Sequence, residues 1–578
     1  MSEREQSSSV RSRACRSSFA VARFRRHPVA WLSAIASLPI VGACLALAVT
    51  GWAPRWDEAI LSWHGYDMLA GHPTSLGMPS RAAAGTGQQS FYPGPALFWI
   101  IAVPTRLAPR VGPLLGAALL IIGTLVLTLR AVATRWGTPA ATAVTAAALV
   151  LTVSAADQVL AVPLWNPWMG LLPFAGSLVA AAVVASGGLR SWPTLIILGS
   201  IAVQAHLMYA VAAPLIVIAP MLGIPIAHAA SSAERPATPV PRRLPPWVPA
   251  GFVAAIVLWA PAIWQQLTSS PGGLRLLLDA TLRSDQATLG FSSALRYFAA
   301  ATSARPLPLW ARGPRPWTPQ ADMAGSDKVG CIILAALIAL LAVYLLRRRW
   351  GPAAVCAITL VAATGTLAVL ASIPASLQIT ASYVCYAFLP VSMLVWTVAG
   401  LAVADALASR RRWRPRRPFA WARAITPTLA GIAAVAVAAA TAALTMRAPG
   451  AADLRGGAAS ADNAAVGRAA LLIGPPPKPG TSLRIEAISP VGWAMSTRLY
   501  ALAYSLRLRG WRPILDDPSY SFMVDPYYRR GVVAQRVAIL PQRPSPTYRA
   551  LGTIRDSGKT LTVWMAPPLG PNLSERSS

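Results

Sequence analysis

Residues 31–50 read WLSAIASLPIVGACLALAVT, twenty residues without one charged side chain. At about 1.5 Å per residue, a helix of this length spans a hydrocarbon core of roughly 30 Å. The run is longer than the apolar core of a cleavable signal peptide, and no small-residue cleavage site follows it. The sequence therefore predicts an uncleaved first transmembrane helix, preceded by a basic cytoplasmic tail over residues 1–30.

The composition of the whole chain agrees with this start. Of 578 residues, 55% are hydrophobic and only 12% are charged, whereas soluble domains carry about 25% charged residues. The net charge of +31 comes mostly from arginines clustered between apolar runs, a distribution that argues against nucleic acid as a partner. Walker A, HExxH, CxxC and GxSxG motifs are missing from the sequence. We therefore predict an all-α polytopic membrane protein in a bacterial plasma membrane.

Hydropathy predicts eleven spans over residues 31–446. They are Trp31–Thr50, Val111–Leu129, Pro139–Ala156, Trp168–Ser186, Pro193–Ala205, Leu207–Ala227, Trp247–Leu267, Lys328–Leu346, Gly351–Ile373, Tyr383–Leu407 and Ala424–Met446.

The apolar segment Pro93–Leu107 decides the topology. If it does not cross, the arginine clusters of the later loops all face the cytoplasm, as the positive-inside rule requires. We therefore interpret it as a juxtamembrane helix, with Trp99 as an interfacial anchor. The alternative is that it spans and another run does not. The favoured topology puts residues 51–92, 268–327 and the C-terminal tail outside.

The composition changes after Met446. Residues 447–480 are rich in Gly, Ala and Pro and are typical of a linker. Residues 481–578 predict a small extracytoplasmic α/β domain, with strands at Leu483–Ile488, Val532–Leu540 and Leu561–Met565 and a helix at Trp493–Arg509. The domain is basic, which fits either a solvated surface or a face toward anionic lipid or a phosphate-bearing substrate.

Carboxylates near the outer ends of the spans are the first candidates for chemistry. Asp57 and Glu58 follow the first helix, where a base could take a proton from an acceptor hydroxyl. The alternative is that Asp57 caps the amphipathic stretch that follows. Asp157 ends the third span, where a carboxylate is costly unless it is paired or hydrated. Simple exposure at the interface is the other reading of Asp157.

Further polar residues could line the same pocket. Asn166 lies in the aromatic turn WNPW, and Gln204 and His206 lie between the fifth and sixth spans. A lone histidine in such a place is more often structural than catalytic. In the loop 268–327, Arg275 and Arg283 could hold a phosphate bidentately, or belong to a solvated loop. Clustered carboxylates could also bind a divalent cation, but the sequence does not identify the metal ligands.

These features together resemble the GT-C superfamily of membrane glycosyltransferases, which includes protein O-mannosyltransferases and the lipid A aminoarabinose transferase. The resemblance covers roughly residues 31–410 and rests on the acidic pair, on the second aspartate and on the segment Tyr92–Trp99. That segment is similar to the family's His/Lys-Pro-Pro motif, although Tyr92 stands where the family often has a basic residue. The stretches 165–168 and 204–206 are similar to segments of actinobacterial members.

The resemblance implies a GT-C-like fold and transfer of a sugar, a hexose or a pentose, from a polyprenyl-phosphate donor on the outer face. The acceptor is then an extracytoplasmic glycan, lipid or protein. By position, Asp57 is the catalytic base and Glu58 and Asp157 are supporting carboxylates. Two rival functions remain: a lipid-linked sugar transporter, and a non-catalytic membrane protein that binds cell-wall glycan.

Overall fold

The structure, a computed structural model, describes residues 27–49, 51–80, 90–154, 160, 162–221, 245–282, 286–302, 326–375, 382–410, 458–488, 494–515, 533–556 and 559–567. The described residues up to 410 contribute a bundle of apolar helices, and those from 458 onward contribute a small mixed sheet flanked by two helices.

The helices of the described residues are numbered in chain order. They are α1 (Pro28–Val49), α2 (Trp56–Asp67), α3 (Ala96–Leu107), α4 (Gly112–Trp136), α5 (Thr138–Ser154), α6 (Asn166–Ala185), α7 (Trp192–Ala205), α8 (Leu207–Met221), α9 (Trp247–Thr268), α10 (Gly273–Leu282), α11 (Gly290–Thr302), α12 (Asp327–Leu346), α13 (Trp350–Ala371), α14 (Phe388–Arg410), α15 (Ala458–Ile473) and α16 (Ala494–Leu508). A 3-10 turn, Ser382–Ala387, leads into α14.

Seven helical segments among the described residues are long and apolar enough to cross a membrane. Six are α1, α4, α6, α9, α12 and α13, and the seventh, Tyr383–Ala406, covers most of the last 3-10 turn and of α14. Three other predicted spans correspond to the shorter helices α5, α7 and α8, and Ala424–Met446 lies outside the described residues. The structure thus has the predicted character of a helical membrane protein, while the number eleven remains a prediction. The segment Pro93–Leu107 contains α3, whose 12 residues reach about 18 Å.

One end of the bundle, which we call the aspartate end, gathers the end of α1 and the starts of α4, α6 and α14. Asn166, at the start of α6, donates from Nδ2 to the carbonyl of Ala205, at the end of α7, at 3.2 Å. His206 then lies 3.2 Å from the hydroxyl of Tyr383, in the turn before α14. Helices α2 and α3 also lie at this end.

The opposite end, which we call the arginine end, is recognised from two contacts. Arg135, at the end of α4, donates to the carbonyl of Ser186, just after α6. Arg349, between α12 and α13, pairs with Asp405 near the end of α14 at 3.0 Å. Arginines at this end include Arg135, in the last turn of α4, and Arg190, Arg347, Arg348 and Arg349, between helices.

A two-residue pair, β1 (Pro79–Ser80) with β2 (Ser90–Phe91), precedes α3. The strands of the C-terminal sheet are β3 (Ser482–Ile488), β4 (Arg512–Ile514), β5 (Gln535–Leu540), β6 (Arg549–Asp556) and β7 (Lys559–Ala566). Their order in the sheet is β4-β3-β5-β7-β6. Strand β3 is parallel to β4 and β5, whereas β7 is antiparallel to β5 and β6.

The structure contains every strand and helix predicted for the C-terminal domain, together with elements that the sequence did not predict. The three predicted strands and the predicted helix occur as β3, β5, β7 and α16, with shifted ends. Strands β4 and β6 were not predicted. The structure also differs within residues 447–480, predicted to be a linker, because α15 forms there and packs against β6 and β7, with Ala469 and Ile473 buried.

Packing near the aspartate end depends on the amide of Gln204. Its Oε1 accepts from the backbone N–H of Ala96 at 3.1 Å, and its Nε2 donates to the carbonyl of Leu258 at 2.8 Å. One side chain thus joins the start of α3, the end of α7 and the middle of α9. Gly94 makes room for it, because its backbone has φ +97° and a Cβ there would lie 2.5 Å from Gln204 Oε1.

We therefore predict that Gly94→Ala destabilises the protein by about 1–3 kcal/mol, since it forces a left-handed residue against a buried amide. The measurement is the thermal midpoint of the purified protein in detergent. Gly42→Ala is the matched control, because a Cβ on Gly42 meets nothing within 4 Å. Equal midpoints for the two variants would contradict the role given to Gly94.

Candidate functional site

Asp57 lies in the first turn of α2 and faces a neighbouring helix start. Arg55 occupies the N-cap position of α2. The alternative interpretation, in which Asp57 caps this helix, is therefore wrong. Its Oδ2 accepts a hydrogen bond from the indole Nε1 of Trp165 at 2.8 Å. Trp56, just before it, has φ +44°, a strained backbone for a residue with a side chain. Such strain is common at functional sites and costs about 1–3 kcal/mol.

An aromatic cluster surrounds this hydrogen bond. The Trp165 ring lies 4.8 Å from the ring of Tyr383 and 5.3 Å from that of Trp168, between centroids. Tyr386 packs against Trp168 at 4.7 Å, and Tyr92 meets His206 edge-on at 4.9 Å. The aromatic cluster, Tyr92, Trp165, Trp168, Tyr383 and Tyr386, therefore joins residues that lie 294 positions apart from Tyr92 to Tyr386.

His206 connects two parts of this cluster. Its Nδ1 accepts from the backbone N–H of Met208 at 3.1 Å, so that nitrogen carries no proton. The neutral ring then carries its hydrogen on Nε2 and donates it to the Tyr383 hydroxyl at 3.2 Å. His206 is thus both a cap for the turn that begins α8 and a positioning group for Tyr383.

The accessible part of the cluster is the part nearest to Asp57. Asp57, Trp165 and Tyr383 are half-buried, whereas His206 and Tyr92 are only 5% and 7% exposed. The carboxylate and the two aromatic rings beside it therefore keep part of their surface exposed. His206 and Tyr92 support those rings from behind.

Glu58, next to Asp57 in sequence, has a different environment. It is 4% exposed, and its Oε1 has no hydrogen-bond partner among the described residues. Burial raises the pKa of Glu58 to about 8, although nearby groups of Arg55, Trp52 and Leu164 act in the opposite direction. Glu58 is therefore mostly protonated at neutral pH and is a poor base there, whereas half-buried Asp57 is held by an indole N–H.

Asn166 and Gln204 take structural positions. They are 2% and 1% exposed, and both use their side-chain amides to hold backbone groups of neighbouring helices. The Oδ1 of Asn166 and the Nε1 of Trp168 are buried without a hydrogen-bond partner within the described ranges. These two atoms mark where a buried water or a ligand group would gain a hydrogen bond.

The remaining predicted residues are not brought to Asp57 by the described structure. Arg275 is in α10, with a side chain 69% exposed and 3.7 Å from the carboxylate of Asp279. Asp157 and Arg283 lie outside the described residues, so a hollow shared by Asp57 and Asp157 stays a prediction. Among the described residues, no three His, Cys, Asp or Glu side chains come together as metal ligands would.

Sequence reasoning missed Tyr383 and Tyr386. Both fall at the beginning of a predicted apolar span. Two tyrosines three residues apart at a span boundary, opposite an aromatic turn in the predicted topology, were the available signal. Trp165 belongs to the aromatic turn WNPW, but no sequence pattern pairs its indole with Asp57.

Comparison with known proteins leaves the family open, because no family model, curated protein or solved structure matches the chain.

The raised pKa of Glu58 predicts a pH-dependent stability. Since the folded-state pKa of about 8 exceeds the ordinary value of 4.5, the folded protein binds the extra proton between these values. The stabilising contribution is complete below pH 4.5 and is lost as the pH rises toward 8. Glu58→Gln cannot ionise, so its stability relative to the parent protein should increase over this interval by up to a few kcal/mol, at about 1.4 kcal/mol per pKa unit.

The measurement is the thermal midpoint of both proteins at several pH values in detergent. Asp279→Asn is the control, because an exposed carboxylate in an ion pair contributes about 1 kcal/mol or less. Parallel midpoint curves for Glu58→Gln and the parent protein would show that Glu58 ionises normally.

Proposed function

We propose that this protein is a membrane glycosyltransferase that moves a sugar from a polyprenyl-phosphate donor to an extracytoplasmic acceptor. The observation that carries the proposal is the half-buried carboxylate of Asp57, held by Trp165 beside the accessible ring of Tyr383 at one end of an apolar bundle. A base at that depth meets both a lipid-borne donor and an acceptor from the aqueous side. The acceptor is a glycan, a lipid or a protein.

The reaction requires one proton transfer and one displacement at carbon. Asp57 takes the proton from an acceptor hydroxyl, and the resulting oxygen forms a bond to the anomeric carbon of the donor sugar. The bond between that carbon and the phosphate oxygen breaks, and the electron pair leaves with the polyprenyl phosphate. Asp57 is better suited to the basic role than Glu58, because Asp57 is half-buried, whereas Glu58 is buried where desolvation raises its pKa.

The aromatic cluster supports the choice of a sugar as substrate. Sites for small molecules combine apolar and aromatic surfaces with a few placed polar groups. In this cluster Trp165 and Tyr383 offer ring surfaces, and the carboxylate of Asp57 lies at the edge of one of them. A pyranose or furanose ring could rest on these surfaces with a hydroxyl directed at Asp57.

The distribution of arginines supports an extracytoplasmic site. The described connections at the arginine end carry several arginines, and cytoplasmic loops are enriched in Lys and Arg. With the arginine end in the cytoplasm, the aspartate end and the C-terminal domain face outward. Contacts of Arg275 and Arg283 with the donor phosphate stay predictions from the sequence, because Arg275 is exposed on α10 beside Asp279 and Arg283 lies outside the described residues.

The central test is Asp57→Asn in the full-length protein. Asparagine keeps an oxygen that can accept the Trp165 N–H, but it is not a base, so we expect sugar transfer to fall by about 10²-fold to 10⁴-fold. The measurement is transfer from a radiolabelled polyprenyl-phosphate sugar by the purified protein in detergent. Asp405→Asn removes a carboxylate at the arginine end and serves as the matched control. Unchanged turnover in Asp57→Asn would remove Asp57 from the mechanism, and failure of the parent protein to cleave any such donor would contradict the function itself.

A second prediction concerns the indole of Trp165. Trp165→Phe keeps an aromatic ring but removes the N–H that holds Asp57, and a hydrogen bond to a charged group contributes about 1.5–3 kcal/mol. We expect transfer to fall about 10-fold to 100-fold. Trp264→Phe, which alters an exposed indole of α9, should leave the rate as it is. Equal rates in both variants would show that the hydrogen bond to Asp57 has no part in catalysis.

A further inference from the structure

The C-terminal domain touches the helix that carries Asp57 and Glu58. Helix α16 packs against α2, and side chains of both belong to one hydrophobic cluster that runs from the bundle into the C-terminal domain. Ile60 and Leu61 of α2 and Tyr500 and Tyr504 of α16 are among its members. The C-terminal domain thus rests directly on the candidate site's own helix.

A buried ion pair lies at the centre of this contact. The Nε of Arg507 donates to Oδ1 of Asp67 at 2.8 Å, and the two side chains are 14% and 1% exposed. Asp67 is the last residue of α2, where the negative end of the helix dipole disfavours a carboxylate. A buried carboxylate without a positive partner is strongly destabilising. Arg507 therefore supplies, from a distant part of the chain, charge that the end of α2 requires.

Two neighbouring contacts fix the same place. Two guanidinium groups lie near the ring of Tyr66 of α2, with Arg106 of α3 at 4.9 Å and Arg507 at 5.9 Å from its centroid. Arg106 also donates to the Tyr66 hydroxyl at 3.1 Å. The hydroxyl of Tyr504 donates to the carbonyl of Pro109, between α3 and α4, at 2.9 Å. The C-terminal domain is therefore attached to α2 and to the α3–α4 connection together.

Helix α2 transmits this attachment to Asp57. Asp57 and Asp67 are ten residues apart on one helix, or about 15 Å. Gly65 brings α2 close to α3, since a Cβ there would lie 2.6 Å from Ile101. A helix fixed at its end by Arg507 and along its length by α3 leaves little freedom for its first turn.

We propose that Arg507 is a positioning residue, through which the C-terminal domain orders α2 and so sets the place of the Asp57 carboxylate. This inference rests on the proposed function for its catalytic consequence, whereas the ordering of α2 can be measured without it. A displacement of about 1 Å in a reacting group can cost about 10²-fold in rate. Arg507 lies at the end of α2 away from Asp57, so its loss should lower kcat more than it raises KM.

The experiment compares Arg507→Met, Arg507→Lys and Arg509→Met in the full-length protein. Arg509 is exposed and two residues further along, which makes it the matched control. Amide hydrogen exchange of residues 56–67, read by mass spectrometry, should become at least 10-fold faster in Arg507→Met and recover in part in Arg507→Lys. Transfer kinetics should show kcat reduced about 10-fold to 100-fold with KM within about threefold. Arg509→Met should behave as the parent protein.

Two results would overturn the proposal. One is unchanged exchange over residues 56–67 in Arg507→Met, and the other is faster exchange confined to the sheet at residues 482–566. If Arg507→Met does not fold, Tyr504→Phe removes only the hydroxyl that holds Pro109, and the same pair of readouts applies to it. If the parent protein shows no transfer, the proposed function fails while the exchange measurement still decides whether Arg507 orders α2.

Discussion

Backbone N–H and C=O groups have no water to bind inside a bilayer, and this constraint governs the rest of the structure. Apolar runs must form helices that satisfy their own hydrogen bonds, so irregular backbone and polar side chains are displaced toward the helix ends. The segments that carry Asp57, Trp165, His206 and Tyr383 are all of this displaced kind: a short helix start, a turn, a break between helices and a 3-10 turn. The candidate site thus consists of side chains from the ends of the helices and from the segments that connect them.

Two adjacent carboxylates acquire different properties at this end of the bundle. Asp57 turns toward an indole N–H at a half-buried position, while Glu58 turns into packed side chains where its charge is not solvated. The desolvation that raises the pKa of Glu58 therefore acts on only one of the two neighbouring residues at a fully buried position. Successive side chains on a helix point about 100° apart. Asp57 and Glu58 can therefore face different surroundings although they are adjacent in sequence.

The sequence was informative where a single periodicity or charge bias dominates, and less so where long-range packing decides. The long apolar runs, the short helix within Pro93–Leu107 and several elements of the C-terminal sheet follow from hydropathy and local propensity. The topology predicted from the positive-inside rule also placed Asp57, Asn166 and His206 at the same end of the bundle. The partner of Asp57, by contrast, depends on the packing of α2 against the start of α6, and the roles of Gln204 and Asn166 as backbone clamps depend on which helices are neighbours. No local pattern encodes these contacts, and the strand Arg549–Asp556 was missed because its sequence RALGTIRD alternates weakly.

The bond between Asp67 and Arg507 joins residues 440 positions apart in the chain. During synthesis, helix α2 therefore leaves the ribosome long before Arg507, the residue that pairs with its last carboxylate. Until then the Asp67 carboxylate has to remain in water or interact with other groups. A chain interrupted before residue 507 would contain all the described helices of the bundle and still lack the guanidinium group that pairs with Asp67.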